Sequence, residues 1–340
     1  MNRSTPTLCP ACVGASEPCY GTAFPSPVKL EIPTEPVKRD QYLSIPCVRA
    51  FVEFLNPYLI GKSFHHSYLD LKRKRYWSCV SLQSAMHGYR FSVATALAKA
   101  CGLKPPAHSL SDNAVALTYL SKDLKSAFKR HSDAGAERAC CNIFRWGGTL
   151  NGNRDTVAKL AAKHELIDYL KACEHAFGSP HSFAYPRVLH LHSNAGFTKV
   201  YSLLFDDFAI YDSRVAASLG AFIAAFHCAN KWKSQCRELR LGYMPARAYR
   251  GTPAHLRNPS HSPCTFPSVS TQPERHLWSN VRANWILTEA LSSTRFEEEV
   301  LNKWPPKTGG AEVTPLRALE TALFMIGYEL KNLSLCGHPY

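Results

Sequence analysis

Helical periodicity of the apolar residues is the feature that most constrains how this chain folds. Val48, Phe51, Val52, Leu55 and Leu59 recur at the spacing of one helix face. The same periodicity predicts further helical stretches, at about 77–101, 111–128, 157–170, 276–291 and 315–330. Strict alternation of apolar and polar residues, which would indicate strands, is scarce. The sequence therefore predicts a mainly α fold.

The distribution of proline and small polar residues predicts the domain organisation. Seven prolines precede residue 37, so we expect residues 1–39 to form a flexible arm rather than a helix. Helical patterning then occupies residues 40–340, interrupted by a stretch at about 251–273 that is rich in Pro, Ser, His and Asn. That composition predicts a long loop within one helical domain.

The charge of the chain indicates a polyanionic partner. Lys and Arg number 40 against 26 Asp and Glu, which gives a formal net charge of +14 and a pI near 9.2. Such an excess attracts nucleic acid first and an anionic membrane surface second. A solvated basic surface without a partner is the alternative.

The cysteines and the apolar stretches bear on compartment and metal binding. The 13 cysteines are scattered, residues 1–21 lack an apolar signal region, and Val215–Ala229 is too short to span a bilayer. We therefore expect a cytoplasmic, monomeric protein with free thiols and no membrane partner. Cys9, Cys12 and Cys19 lack a fourth ligand at similar spacing, and Cys47 is remote, so neither a metal nor a cofactor is expected.

The stretch from Ser193 to Gly220 carries the clearest chemical pattern. It divides into a helix, a short turn at Asp206–Asp207 and a second helix. Lys199 lies nearly opposite the apolar face of the first helix, so we expect it to be free for solvent or for a cleft. Asp212 occupies the N-cap position of the second helix. The apolar face of the first helix consists of Phe197, Val200, Tyr201 and Leu204.

Two runs within this stretch resemble the helix-hairpin-helix superfamily of DNA glycosylases, and its 8-oxoguanine branch most. These runs are Gly196-Phe197-Thr198-Lys199-Val200 and Ile210-Tyr211-Asp212-Ser213-Arg214-Val215. The resemblance implies a helical glycosylase fold with a cleft between two helical subdomains. It further implies that Lys199 is the nucleophile and Asp212 its carboxylate partner.

The resemblance has departures and one additional similarity. His192-Ser193-Asn194-Ala195-Gly196 replaces the usual Leu-Pro-Gly-Val-Gly hairpin, and the lysine and the aspartate are 13 positions apart, fewer than in the family. No iron–sulfur cysteine cluster follows. The Trp146-Gly147-Gly148 element and a C-terminal helix are similar to a bacterial group with the 8-oxoguanine glycosylase fold.

Several groups are candidates for holding DNA. Basic residues interleave with aromatic residues in Lys72–Trp77, in Lys231-Trp232-Lys233, and in a third cluster of Arg237, Arg240, Arg247 and Arg250 with Tyr243 and Tyr249. For the first two, a solvated charge run is an equal alternative. The segment from Arg145 to Asn153 either lines a base pocket or is a tight interhelix loop. The DNA-binding candidates are Arg145, Trp146, Asn153, Ser193, Asn194, Gly196, Ser213, Arg214, Lys231, Lys233, Arg247 and Arg250.

Together these patterns predict a DNA glycosylase that excises a damaged or modified base. Asp212 would assist, and Lys199 would add Schiff-base chemistry that permits strand cleavage. The setting would be repair or defence against modified foreign DNA. The alternative is a DNA-binding protein that has the scaffold without catalysis, since Lys199 alone could be a surface lysine and Asp212 alone a helix cap.

Overall fold

The computed structural model describes residues 30–70, 73–185, 190–230, 236–248, 254–261, 264–296, 311, 313–335 and 338–339. These residues are mainly helical, which confirms the prediction of a mainly α fold. The helices are α1 (Arg39–Leu43), α2 (Pro46–Leu59), α3 (Leu82–His87), α4 (Thr95–Ala100), α5 (Leu110–Lys129), α6 (Asp133–Trp146), α7 (Asn153–Ala162), α8 (Leu166–Phe177), α9 (Phe197–Leu204), α10 (Ser213–Ala229), α11 (Pro273–Ser292) and α12 (Pro315–Ile326). A short 3-10 helix spans Arg237–Leu239.

Within the described ranges, the strands form three small antiparallel pairs. β1 (Val37–Lys38) pairs with β4 (Ser182–Phe183), β2 (His66–Asp70) with β3 (Arg75–Cys79), and β5 (Ser334–Leu335) with β6 (His338–Pro339). The first two pairs contact helices, whereas β5 is joined by one bridge from Ser334 to His65, the residue before β2.

The central element of the core is α10. Its residues from Val215 to His227 are all buried, and it packs against α2 and α12. A helix that is apolar on every side is stable only when other elements surround it. Gly327, just after α12, permits the closest approach, because a Cβ there would lie 2.9 Å from Arg214 Cα and closer still to its carbonyl group.

The helix before it, α9, is buried along its whole length between α5 and α6. The predicted helix–turn–helix of residues 193–220 is confirmed, since α9 ends at Leu204 and α10 begins after Asp212. The first helix does not have a solvent-facing side, however. Lys199 was expected to be free for solvent or for a cleft; it is buried, which excludes the first of these alternatives.

Two of the predicted helical stretches are interrupted. Within 77–101 the structure has the end of β3 and two short helices, because Trp77 pairs with Tyr68 across the β2–β3 hairpin. Within 157–170 the chain leaves α7 and begins α8 around His164, whose φ is +58°. The apolar periodicity of the sequence continues through both breaks, because the segments on either side of each break bury one face. It therefore did not reveal where the helices end.

The predicted arm and loop are partly described. Residues 1–29 lie outside the described part, whereas Leu30 is buried and Val37–Lys38 form β1, so packed structure begins before residue 40. Residues 254–261 and 264–272 contain no helix or extended strand, as predicted for the loop. Pro259 and Phe266 nevertheless pack onto α10 at Gly220. Among the described helices, none combines the length and hydropathy required of a membrane span.

One pair of cysteines forms a disulfide, although free thiols were expected. Cys47, in the first turn of α2, forms a disulfide with Cys236, just before the 3-10 helix. The prediction of free thiols is therefore wrong for these two residues, which packing brings together across 189 positions of sequence. Cys79, Cys101, Cys140, Cys141, Cys173 and Cys264 carry no disulfide.

Candidate active site

Lys199 and Asp212 line one cavity of about 40 Å³. Helix α9 supplies the lysine, and the start of α10 supplies the aspartate. The remaining walls come from α5, the end of α6, the segment before α4, and α12. The fold thus brings together the two residues that the sequence pattern singled out.

The Lys199 side chain is held in place by burial and by one hydrogen bond. It is 5 % exposed, and its Nζ donates to the carbonyl oxygen of Ala195 at 2.6 Å. Burial lowers the pKa of Lys199 from its ordinary value of 10.5, and the positive charges of Arg214 and Arg317 act in the same direction. The negative charges of Asp212 and Glu320 oppose this shift. The site therefore favours a neutral, nucleophilic amine more than solvent would.

Gly147 makes room for the lysine. The residue follows α6, and a Cβ at this position would lie 2.6 Å from Lys199 Cε and closer still to Cδ. Trp146 and Gly147 are thus parts of the cavity wall rather than of a compact surface turn, since α6 extends through Trp146. Gly148 and Gly152, with φ of +65° and +78°, form the turn that follows.

Asp212 is the N-cap of α10, as predicted. Its Oδ1 accepts hydrogen bonds from the backbone N–H groups of Arg214 at 2.9 Å and Val215 at 3.1 Å. Its second carboxylate oxygen accepts no hydrogen bond from the described residues, and the side chain lines the cavity. The cap fixes the carboxylate while leaving one oxygen for chemistry, and the helix dipole favours its negative charge.

Aromatic rings form much of the cavity wall. Phe91 lies between Trp146, at 5.3 Å between centroids, and Phe324, at 5.7 Å. The indole N–H of Trp146 donates to Asn113 Oδ1 at 3.0 Å, which fixes the ring. Rings arranged in this way offer faces against which a planar heterocycle can stack.

A buried ion pair on α12 completes the wall. Arg317 Nη1 donates to both carboxylate oxygens of Glu320 at 2.6 Å, and Glu320 also accepts from the backbone N–H of Ile210 at 2.7 Å. Burial raises the pKa of Glu320, and Arg317 opposes that shift. Sequence reasoning missed this pair. The available signal was a pair of opposite charges three residues apart in a helix otherwise rich in leucine.

Arginines gather beside Asp212 at the start of α10. The Arg214 guanidinium lies over the rings of Phe324 at 4.2 Å and Tyr328 at 4.6 Å. Arg257 Nη1 donates to Ser213 Oγ at 2.6 Å, and its guanidinium lies 5.9 Å from the Tyr328 ring. Burial and the charge of Arg214 lower the pKa of Arg257 to about 10, so Arg257 remains cationic at neutral pH. Ser213 and Arg214 were predicted, whereas Arg257 was not.

The β2–β3 hairpin adjoins this arginine group. Tyr68 stacks on Tyr328 at 4.7 Å and on Trp77 at 4.8 Å, and the Tyr328 hydroxyl donates to Asp70 at 3.2 Å. The predicted basic cluster of residues 72–77 is therefore close to Asp212 in the fold, although Lys72 lies outside the described residues. The Trp77 ring is held within the protein, because it stacks on Tyr68 and its indole N–H donates to Gly88 O at 3.1 Å.

Several predicted DNA-binding residues form hydrogen bonds within the protein. Ser193 is buried and bonds His276 Nδ1 at 2.8 Å, and burial lowers the pKa of His276 to about 4, so this histidine is neutral. Asn194 Oδ1 accepts from the backbone N–H of Gly196 at 2.7 Å, and its Nδ2 donates to Asn153 Oδ1 at 2.9 Å. These bonds fasten the start of α9 to the start of α7.

The remaining candidates lie away from the cavity or outside the described residues. Arg145 is exposed on α6 and donates to Asn142 at 2.8 Å. Arg247 is exposed in the segment after the 3-10 helix. Arg250, Lys231 and Lys233 lie outside the described residues, as do Cys9, Cys12 and Cys19. Arg237, the first residue of the third basic cluster, forms an ion pair with Glu31 in the predicted arm.

One group of metal-ligand types occurs among the described residues. Cys47, Cys236 and Glu238 lie together, with a carboxylate oxygen 3.2 Å from Cys236 Sγ and 4.0 Å from Cys47 Sγ. The disulfide uses both sulfurs, so the arrangement as it stands offers a single carboxylate. It is also separate from the cavity that holds Lys199.

Comparison with known proteins adds no relative: no family model, no curated protein and no solved structure matches the chain.

Proposed function

We propose that this protein is a DNA glycosylase that removes a modified or damaged base with Asp212 and Lys199. The observation that supports this most is their shared location. A buried lysine whose pKa is lowered and a fixed carboxylate line one cavity walled by aromatic rings. Neither a surface lysine nor an ordinary helix cap requires such an arrangement.

The chemistry follows from these two side chains. The neutral Nζ of Lys199 attacks the sugar C1′, while the bond from C1′ to the base breaks and the base departs with the bonding electron pair and takes up a proton. The Asp212 carboxylate stabilises the positive charge that develops on the sugar. Opening of the sugar ring gives a Schiff base between C1′ and Nζ. Loss of a C2′ proton then breaks the bond from C3′ to the phosphate oxygen, and this elimination cleaves the strand.

The cavity must enlarge before a base can enter. Its volume of about 40 Å³ suits one water molecule rather than a nucleobase. Enzymes that extrude a nucleotide hold the base between apolar and aromatic side chains. We infer that wall side chains move apart when DNA binds, so that the base stacks beside Phe91 and Trp146.

The surroundings of the cavity suit a DNA backbone. The chain carries a net charge of +14, and Arg214, Arg257 and the basic β2–β3 hairpin lie together beside Asp212. We place the DNA across this region, in a cleft between helical lobes, and propose that the protein acts as a cytoplasmic monomer. The setting is repair or defence against modified foreign DNA. The target base is to be identified with the panel of modified duplexes described next.

Borohydride trapping tests the proposal directly. Purified protein is mixed with end-labelled duplexes, each carrying a different oxidised, alkylated or glycosylated base, and reduced with borohydride. We expect one or more duplexes to give a covalent adduct with the wild type but not with Lys199→Ala. Lys122→Ala, an exposed lysine on α5, is the matched control and should retain the adduct.

Other outcomes separate the alternatives. Base release without an adduct would assign a hydrolytic reaction led by Asp212. Salt-sensitive duplex binding without base release from any substrate would favour the non-catalytic DNA-binding protein. The absence of binding to duplex DNA at low salt would refute both.

A further inference from the structure

The β2–β3 hairpin has two different faces. Its inward face carries the cross-strand pair Tyr68–Trp77, which is packed against Tyr328. Its outward face carries the cross-strand pair Leu69–Tyr76, and these side chains are 38 % and 86 % exposed. Residues in register on one face of a hairpin lie side by side, so the outward pair forms one small apolar surface in solvent.

Positive charge surrounds this apolar pair. Arg73 and Lys74 lie in the turn between the strands and Arg75 begins β3, and all three are exposed. Asp70 is the acidic residue of the hairpin, and Arg73 pairs with it at 2.8 Å. Lys74 has φ of +51° and closes the turn. An apolar pair bordered by cations complements a nucleic-acid duplex, whose apolar base faces lie between rows of phosphates.

The hairpin is rigidly connected to the candidate active site. Tyr68 stacks on Tyr328, and Tyr328 in turn lies under the guanidinium of Arg214, two residues after Asp212. The Tyr328 hydroxyl also bonds Asp70, the last residue of β2. The hairpin therefore has a fixed position relative to the catalytic carboxylate.

We propose that the Leu69–Tyr76 pair inserts into the base stack of duplex DNA and fills the space that the extruded nucleotide leaves. This inference rests on the proposed function. Apolar side chains of other DNA-binding proteins insert between base steps, and stacking of a base on an aromatic ring stabilises the unstacked strand. Arg75 and Lys74 hold the phosphates on either side, so insertion occurs at a defined distance from Asp212.

Fluorescence of 2-aminopurine tests the insertion. The probe is a duplex that contains a tetrahydrofuran abasic analogue with 2-aminopurine as its neighbour, and the protein is the full chain. Wild type should increase the fluorescence, because insertion unstacks the probe base. Tyr76→Ala should remove most of this increase and weaken binding of the abasic duplex roughly tenfold. Tyr76→Phe should restore both, since stacking requires the ring and not the hydroxyl.

A matched control and the remaining outcomes make the test decisive. Tyr119 on α5 is also an exposed tyrosine, at 44 %, so Tyr119→Ala should behave as wild type. Because Tyr76 is exposed, its replacement should leave the thermal unfolding midpoint unchanged. If wild type binds the duplex and Tyr76→Ala matches Tyr119→Ala, the hairpin inference is wrong while the proposed function stands. If wild type binds no DNA, both are wrong.

Discussion

The aliphatic stem of Lys199 lies directly against the backbone of Gly147 at the end of α6. The two residues are 52 positions apart, and a side chain at 147 would occupy the space of the lysine Cδ and Cε. The backbone at Gly147 has φ of −79° and ψ of −2°, which any residue adopts. The glycine is therefore required by its neighbour and not by its own conformation.

Replacing this glycine should displace the lysine. We expect Gly147→Ala to lower adduct formation and base release about a hundredfold, because small displacements of a reacting group have effects of that size. Gly148→Ala is the control. Its Cβ would meet nothing within 4 Å, while its φ of +65° costs about 1 kcal/mol of folding free energy. A Gly147→Ala enzyme with full activity would exclude Lys199 as the nucleophile in the observed position.

The two roles of Asp212 can be separated by substitution. Asp212→Asn keeps an oxygen for the N-cap but removes the charge, so we expect normal stability and a loss of activity of about a hundredfold or more. Asp212→Ala should in addition lower the free energy of unfolding by about 1 kcal/mol. Ser132→Ala removes the side-chain cap of α6 and should cost similar stability while activity persists. Full activity of Asp212→Asn would leave the aspartate as a cap only.

Burial of Lys199 should appear in the pH dependence of stability. Its pKa is lowered in the folded chain, so between that value and 10.5 the unfolded chain binds more protons. The free energy of unfolding should therefore rise with pH in this window, and the cost of burying the amine is largest below it. Against Lys199→Met, measured by chemical denaturation from pH 7 to 10, wild type should gain stability as pH rises. Lys122→Met should run parallel to wild type.

Local pattern sufficed for some parts of the fold and the site. The N-cap at Asp212 and the break after Leu204 depend on neighbouring residues, and both are confirmed. The common location of Lys199 and Asp212 was implied by the resemblance and not by packing of their two helices, since α9 packs on α5 and α6 whereas α10 packs on α2 and α12.

Other parts depended on contacts that local pattern does not encode. Lys199 is buried because α5 and α6 cover the side of α9 that periodicity left open. Glu320 and Arg317 lie at the cavity because α12 packs on α10 and Glu320 bonds Ile210, 110 residues away in sequence. Arg257 is in a loop, where periodicity carries no information at all.

Arg257 permits a test of the DNA position that does not depend on catalysis. If Arg257 neutralises one phosphate beside Ser213, Arg257→Gln should weaken duplex binding equally for all sequences and reduce the slope of log affinity against log salt by about one. Arg49→Gln removes the same charge from an exposed site on α2 and should leave the slope unchanged. Anisotropy titrations at roughly 50 to 300 mM salt measure this slope for each variant. Equal slopes for Arg257→Gln and wild type would place the DNA backbone away from the start of α10.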